Sequence, residues 1–146
     1  MLANSSSIKK FELDIEFEYD FLLFGIVSPE KPYRLAWQIN HKHPYNFERA
    51  EDYEIRLNDK PCSFSRFDFK HDENHTGYIL LANKEEGAFL LPELRNFDYL
   101  LLVSGALDFF DELTLKQDIG AVTSVQIIYA VDINTLKSKQ NLVYAY

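Results

Sequence analysis

The chain has 146 residues, 47% of them hydrophobic and 15% aromatic, with a formal net charge of −8. That length suits one domain, the apolar content excludes an intrinsically disordered chain, and the acidic balance argues against nucleic acid or an anionic membrane as partner. The single cysteine, Cys62, allows no intramolecular disulfide, and the longest apolar run, FLLFGIV at 21–27, is too short to cross a bilayer. With no apolar run of signal-peptide type at its start, the chain is expected in a reducing cytoplasm.

Residues 1–8, with three serines in a row, are expected as a flexible tail, and 9–146 as one domain. Phe11, Leu13, Ile15 and Phe17 alternate with Glu12, Asp14, Glu16 and Glu18, which predicts a strand with one wet, acidic face. FLLFGIVS, 21–28, fits a buried strand or a short helical turn, and Gly25 weakens both. In PYRLAWQIN the pairs Tyr33/Trp37 and Leu35/Ile39, with Pro32 in the first turn, favour a helix over about 31–42, closed by Pro44, against a competing strand period.

NFERAEDYEIRLNDKPCSF, 46–64, reads as charged and turn-rich, with at most a short element near 53–57 and a turn at Asn58-Asp59-Lys60-Pro61. A strand over 63–70 with room for a bulge at Ser65-Arg66, the polar connection HDENHTG and a second strand in YILLAN predict an antiparallel hairpin. Lys84 to Gly87 is a turn, and Ala88 to Leu91 a brief edge element. FDYLLLV, 97–103, predicts a central strand, with Phe97, Tyr99, Leu101 and Val103 on one face and Leu100 and Leu102 on the other.

ALDFFDELTLKQ predicts a helix with Leu107, Phe109, Phe110 and Leu113 inward and a stop near Gly120. VTSVQIIYAVD, 122–132, predicts a strand, and INTLKSKQNL a short helix. The order implies an α+β fold: a mostly antiparallel sheet with two or three helices packed on it, of which a ferredoxin-like arrangement is the nearest simple template.

Chemistry concentrates in LPELRNFDY. Pro92 can set Glu93 on an outward turn before a strand, while Asp98 points opposite to Phe97 and Tyr99 and needs donors if it is buried. The favoured reading makes Glu93 solvated, Asp98 an acceptor of backbone bonds and Tyr99 a core residue. A competing reading makes Glu93 and Asp98 an acid–base pair with Tyr99 orienting a ligand. His41 and His43, and the HDENH cluster from His71 to His75, read as wet turns ahead of a metal site, and Cys62 as an incidental thiol. Dispersed arginines and the absence of GxGxxG and P-loop patterns lead to no expected cofactor.

The same stretch resembles the signature of the IPExxxVDY family, small uncharacterised bacterial proteins. Pro92, Glu93, Asp98 and Tyr99 match, Leu91 stands for isoleucine and Phe97 for valine. YRLAWQIN at 33–40 and LKSKQNL at 136–142 extend the likeness over most of the domain, and it implies no activity, cofactor or catalytic residue.

At the C-terminus, Lys137, Lys139, Leu142, Tyr144 and Tyr146 combine positive charge with apolar area. They either close the fold or form an interaction element. The functional expectation is therefore a protein-binding or homodimer-forming domain, contacting another protein through a sheet edge or aromatic surface. The alternative is an enzyme or small-ligand domain using Glu93, Asp98 and Tyr99.

Overall fold

The computed structural model describes residues 20–143 and residue 145. The expected tail at 1–8, the strand expected from Phe11, and Tyr144 and Tyr146 lie outside the described residues.

The fold is α+β, with a six-stranded antiparallel sheet. The strands are β1 (Leu22–Val27), β2 (Glu48–Leu57), β3 (Lys60–His71), β4 (Thr76–Ala82), β7 (Tyr99–Gly105) and β8 (Ile127–Val131), in the spatial order β2-β3-β4-β7-β1-β8. A separate two-stranded ribbon pairs β5 (Lys84–Glu85) with β6 (Ala88–Phe89). Two α-helices, α1 (Pro32–Ile39) and α2 (Glu112–Gly120), cover one face.

β1, β4 and β7 are covered on both faces, so both of their faces must be apolar. On the helix side Phe24, Ile26, Leu101 and Val103 pack against Leu35 and Ile39 of α1 and Leu115 and Ile119 of α2. On the opposite side Leu23, Leu81, Leu100 and Leu102 pack against Leu90, Leu91, Ile133, Leu136 and Leu142. No α-helix covers this second face among the described residues. Short 3₁₀ turns do so, at Pro92–Leu94, Ile133–Thr135 and Lys139–Leu142.

FLLFGIVS is a strand, and Gly25 is the reason its sequence looks ambiguous. A Cβ built on Gly25 would lie 2.5 Å from the Phe97 ring, so the missing side chain is what lets that ring lie on the β1 backbone. Phe97 then stacks on Tyr129 of β8, with ring centroids 6.4 Å apart. This corrects the expected face pattern of β7. Phe97 precedes the strand and leaves the helix-side row, which consists of Tyr99, Leu101 and Val103. Gly25→Ala is expected to cost about 1–3 kcal/mol by overpacking, read from urea midpoints, and the cost should shrink in a Phe97→Leu background.

α1 ends at Ile39, short of Pro44, with Asn40 as its C-cap. Its Leu35/Ile39 pair faces the sheet, whereas Tyr33 and Trp37 face outward. β2 is ten residues long, where the sequence suggests only a brief element. It is an edge strand with Tyr53 as its one buried residue, and Glu51 and Asp52 together oppose Ser65, so a bulge breaks the alternation that would have revealed it. Asn58 and Asp59, both at positive φ (53° and 64°), form the tight turn into β3.

The expected helix from Ala106 divides in two. Asp111 accepts a hydrogen bond from the Thr114 amide (3.1 Å) and so starts α2 at Glu112, after a 3₁₀ turn at Leu107–Phe109. That start sets the phase of the helix: Leu115 and Ile119 are buried, while Phe109 (91%) and Leu113 (65%) are exposed. β8 begins at Ile127, five residues later than expected, because Val122 and Val125 donate backbone bonds within turns instead of a ladder.

Candidate functional site

The residues of LPELRNFDY are held at the start of β7 by Asn83, the last residue before the β5–β6 ribbon. Asn83 is fully buried. Its side-chain amide donates to the carbonyls of Leu94 (2.9 Å) and Phe97 (3.0 Å), and its side-chain oxygen accepts from the Leu91 amide at 2.8 Å. Its own backbone donates to Asp98 (2.9 Å) and accepts from Leu90 at 2.7 Å. Five hydrogen bonds from the side chain and backbone of one residue thus fix the path from Leu90 to Asp98, and the carbonyls of Leu94 and Phe97 are satisfied without a β partner.

On that fixed path each motif residue fastens a different part of the chain. Pro92 occupies the first turn of its 3₁₀ segment, where a missing N–H costs nothing. The Glu93 carboxylate accepts from the amides of Lys137 and Ser138 and from the Ser138 hydroxyl. Asp98 accepts from the Ser28 amide (2.9 Å) and pairs with Lys84 at 2.7 Å. Tyr99 is buried, and its hydroxyl donates to the Glu30 carbonyl. Burial pushes the Tyr99 phenol well above its ordinary range, with the nearby charge of Asp98 acting in the same direction.

Asp98 and Tyr99 border a cleft of about 430 Å³ that also involves Ser28, Glu30, Ser65 and Lys84. Its carboxylates are matched internally. Asp98 has Lys84 and Ser28, Glu85 accepts from the Ser65 amide (2.9 Å), and Glu30 holds Gln38 at 2.8 Å. Glu93 does not border the cleft, and its oxygens are occupied by the C-terminal segment. The two carboxylates of the motif therefore serve separate segments, an arrangement that stabilises a fold and does not resemble an acid–base pair around one substrate.

The Ser138 hydroxyl holds the Glu93 carboxyl below the ordinary glutamate value of 4.5, and the amides of Lys137 and Ser138 add to the effect. A depressed folded-state pKa contributes stability above the unfolded value and loses it as pH falls through the folded one. The tether of residues 137–138 should therefore weaken progressively below pH 4.5. Glu93→Gln should flatten that dependence in acid-unfolding curves without altering stability near neutrality by more than the modest amount expected of an exposed group.

Of the C-terminal residues, Leu142 is fully buried in the second core, Lys137 is exposed and Lys139 half-buried. The segment is locked further by Asn141, whose side chain donates to the Leu90 carbonyl (2.7 Å) and whose carbonyl accepts from the Tyr53 hydroxyl. Among the described residues no group of three or more His, Cys, Asp or Glu side chains is placed to hold a metal ion, and Cys62 is a half-buried free thiol.

Asn83, Ser28 and Lys84 are the residues that sequence reasoning passed over. The available signal was an asparagine directly after the apolar run YILLA, where a polar side chain follows a buried strand and needs partners. No helix among the described residues is long and apolar enough to cross a membrane. Compared with known protein families, curated proteins and solved structures, the chain finds no match.

Proposed function

We propose that this chain is a self-associating protein-interaction domain whose contact is the outer edge of β8. The observation that carries the proposal is the difference between the two edges of the sheet. β2 at one edge carries Glu48, Arg49, Glu51, Asp52, Glu54 and Arg56, and it is bulged, features that discourage edge-to-edge pairing. β8 at the other edge reads IIYAV without a charge or a bulge, with Ile127 (53%) and Tyr129 (62%) exposed.

Among the described residues no strand pairs with the outer side of β8. Phe97 stacked on Tyr129 extends the apolar area inward from the edge. Two copies of a chain with net charge −8 repel on average, so a self-contact is favoured where the meeting strands carry no charge. Antiparallel pairing of β8 with β8 of a second copy satisfies a two-fold axis and joins the two sheets into one.

Membership of the IPExxxVDY family is part of the same proposal. It is supported by Pro92, Glu93, Asp98 and Tyr99 and adds no activity to it. A ferredoxin-like core within the larger sheet is likewise our inference, supported by the order β4-β7-β1-β8 with α1 after β1 and α2 between β7 and β8. The free thiol of Cys62 supports a reducing compartment. A small-ligand site at Asp98 and Tyr99 has the cleft in its favour and the internal pairing of its carboxylates against it.

Light scattering over a concentration series tests the self-association. The expected mass is twice the 17.1 kDa of the chain at high concentration, and Tyr129→Lys should shift the transition at least tenfold upward in concentration. A monomer at every accessible concentration, or a dimer indifferent to Tyr129→Lys, overturns the assignment.

A further inference from the structure

Among the described residues the exposed large hydrophobic side chains fall into three pairs: Ile127 with Tyr129 at the β8 edge, Tyr33 with Trp37 on α1, and Phe109 with Leu113 at the start of α2. The β8 pair stands on a strand without charge and suits a copy of itself. The other two pairs sit in surroundings of opposite sign.

The α1 pair is in basic surroundings. Residues 31–47 contain no aspartate or glutamate, in a chain that carries 23, and Lys31, Arg34 and Lys42 are exposed among them. Tyr33 and Trp37 lie one turn apart on the outer side of the helix. The Arg34 guanidinium is 5.4 Å from the centre of the Trp37 ring, and the His41 ring meets the same indole at 4.3 Å and 77°. Glu30 and Asp118 pair with Arg34 and Lys42 from below: the carboxylates are 27% and 16% exposed, the cations 53% and 60%. This face therefore turns positive charge and aromatic rings toward solvent. Beside it, Trp37, Gln38, His41, Lys42, Ala121 and Val122 line a groove of about 390 Å³ between α1 and the turn that follows α2. The Phe109 pair is in acidic surroundings. Asp108 and Asp111 are exposed and Glu112 half-buried, and Lys116, the lysine of α2, is held by Glu112 at 3.1 Å.

We infer that the outer face of α1 is a docking surface for a second copy of this chain, entered by that copy's Phe109 and Leu113. Phe109 seats in the groove beside Trp37, Leu113 covers Tyr33, and Asp108, Asp111 and Glu112 face Lys31, Arg34 and Lys42. The charges select this occupant. A chain of net charge −8 repels its own copies on average, so a contact on charged ground forms only where exposed charges of opposite sign meet, and the acidic apolar knob supplies the sign that α1 lacks. Like on like, basic on basic or acidic on acidic, is excluded by the same charges. Two different surfaces meet, so the contact is heterologous and stands apart from the self-complementary pairing of β8. Acting together, the two contacts join β8-paired copies into species larger than a dimer. The charged groups are exposed, so salt screens the α1 contact and leaves the uncharged β8 contact in place.

Complementation between two full-length variants tests the contact, with Tyr129→Lys in both to suppress pairing through β8. One carries Trp37→Ala and keeps only the knob, and the other carries Phe109→Ser and keeps only the socket. All three positions are exposed, so circular dichroism should show both chains folded. In sedimentation velocity at low ionic strength each variant alone should remain monomeric, and their mixture should form a complex of twice the chain mass. High salt, or Arg34→Glu in the Phe109→Ser chain, should weaken that complex at least tenfold. A mixture that stays monomeric, or a complex indifferent to salt and to Arg34→Glu, overturns the inference, and so does association of the Phe109→Ser chain with itself, which would put a different occupant on α1. The β8 reading fails separately, if Tyr129→Lys alone leaves the wild-type dimer unchanged.

Discussion

Replacing Asn83 by alanine is expected to destabilise the protein by about 3–6 kcal/mol, a large share of the roughly 5–15 kcal/mol that holds a domain of this size together. The substitution strands three backbone groups at once: the buried Leu91 amide and the half-buried carbonyls of Leu94 and Phe97. Each orphaned group costs about 1–3 kcal/mol, and no water-filled space is needed to explain the loss. Asn83→Asp should be nearly as damaging despite its shape. It keeps the acceptor for Leu91 but turns a carboxylate toward two carbonyl oxygens in a fully buried position. Urea unfolding followed by circular dichroism checks both. A loss below 1 kcal/mol for the alanine variant would mean that the loop from Leu90 to Asp98 is held by something other than Asn83.

Leu142→Ala is expected to cost about 2–5 kcal/mol, the range for truncating a fully buried leucine. Leu142 lies with Ile133 and Leu136 under the second face of the sheet, and the hydrogen bonds of Asn141 to Leu90 and Tyr53 hold the segment there. The same truncation at Tyr129, which is 62% exposed, should change stability by well under 1 kcal/mol. The two positions therefore separate closure of the fold from self-association. Leu142→Ala should lower the unfolding midpoint and leave the mass transition in place, and Tyr129→Lys should do the reverse. A Leu142→Ala variant of unchanged stability would return the C-terminal segment to the role of an interaction element.

Alkaline titration reports on the aromatic interior. Burial raises the phenols of Tyr45, Tyr78 and Tyr99 above the ordinary value of 10.0. A group whose folded pKa is raised contributes stability below its unfolded pKa and loses it as pH rises toward the folded one. Ultraviolet titration should therefore show the phenolate absorbance of these three tyrosines appearing only together with cooperative unfolding, above pH 10.

The interior of the sheet was the most legible part of the sequence. β1, β4 and β7 are covered on both faces and read as apolar runs, so Leu100 to Val103 and Tyr78 to Leu81 announced themselves. The edge strand β2 was not legible for the opposite reason. β2 buries little besides Tyr53 and carries its charges where a covered strand would carry apolar residues, and the bulge at Glu51-Asp52 shifts the alternation midway. In α2 a single cap decided which residues face inward, and Asp111 moved the buried positions to Leu115 and Ile119. Around the candidate site, Pro92, Glu93, Asp98 and Tyr99 stood out as a group, but their partners did not. Ser28, Lys84 and Ser138 are remote in sequence from the residues they hold, and only the pairing of β7 with β1 and β4 brings the first two within reach.

The contrast between the two sheet edges is tested most directly by amide hydrogen exchange, measured on the wild-type chain at concentrations above and below its mass transition. The β8 amides are predicted to be protected at high concentration and to exchange faster on dilution, while β2, at the charged edge, exchanges at one rate throughout. Exchange at β8 that does not vary with concentration while the mass doubles, or protection gained at β2 instead, would contradict the assignment of β8 as the contact.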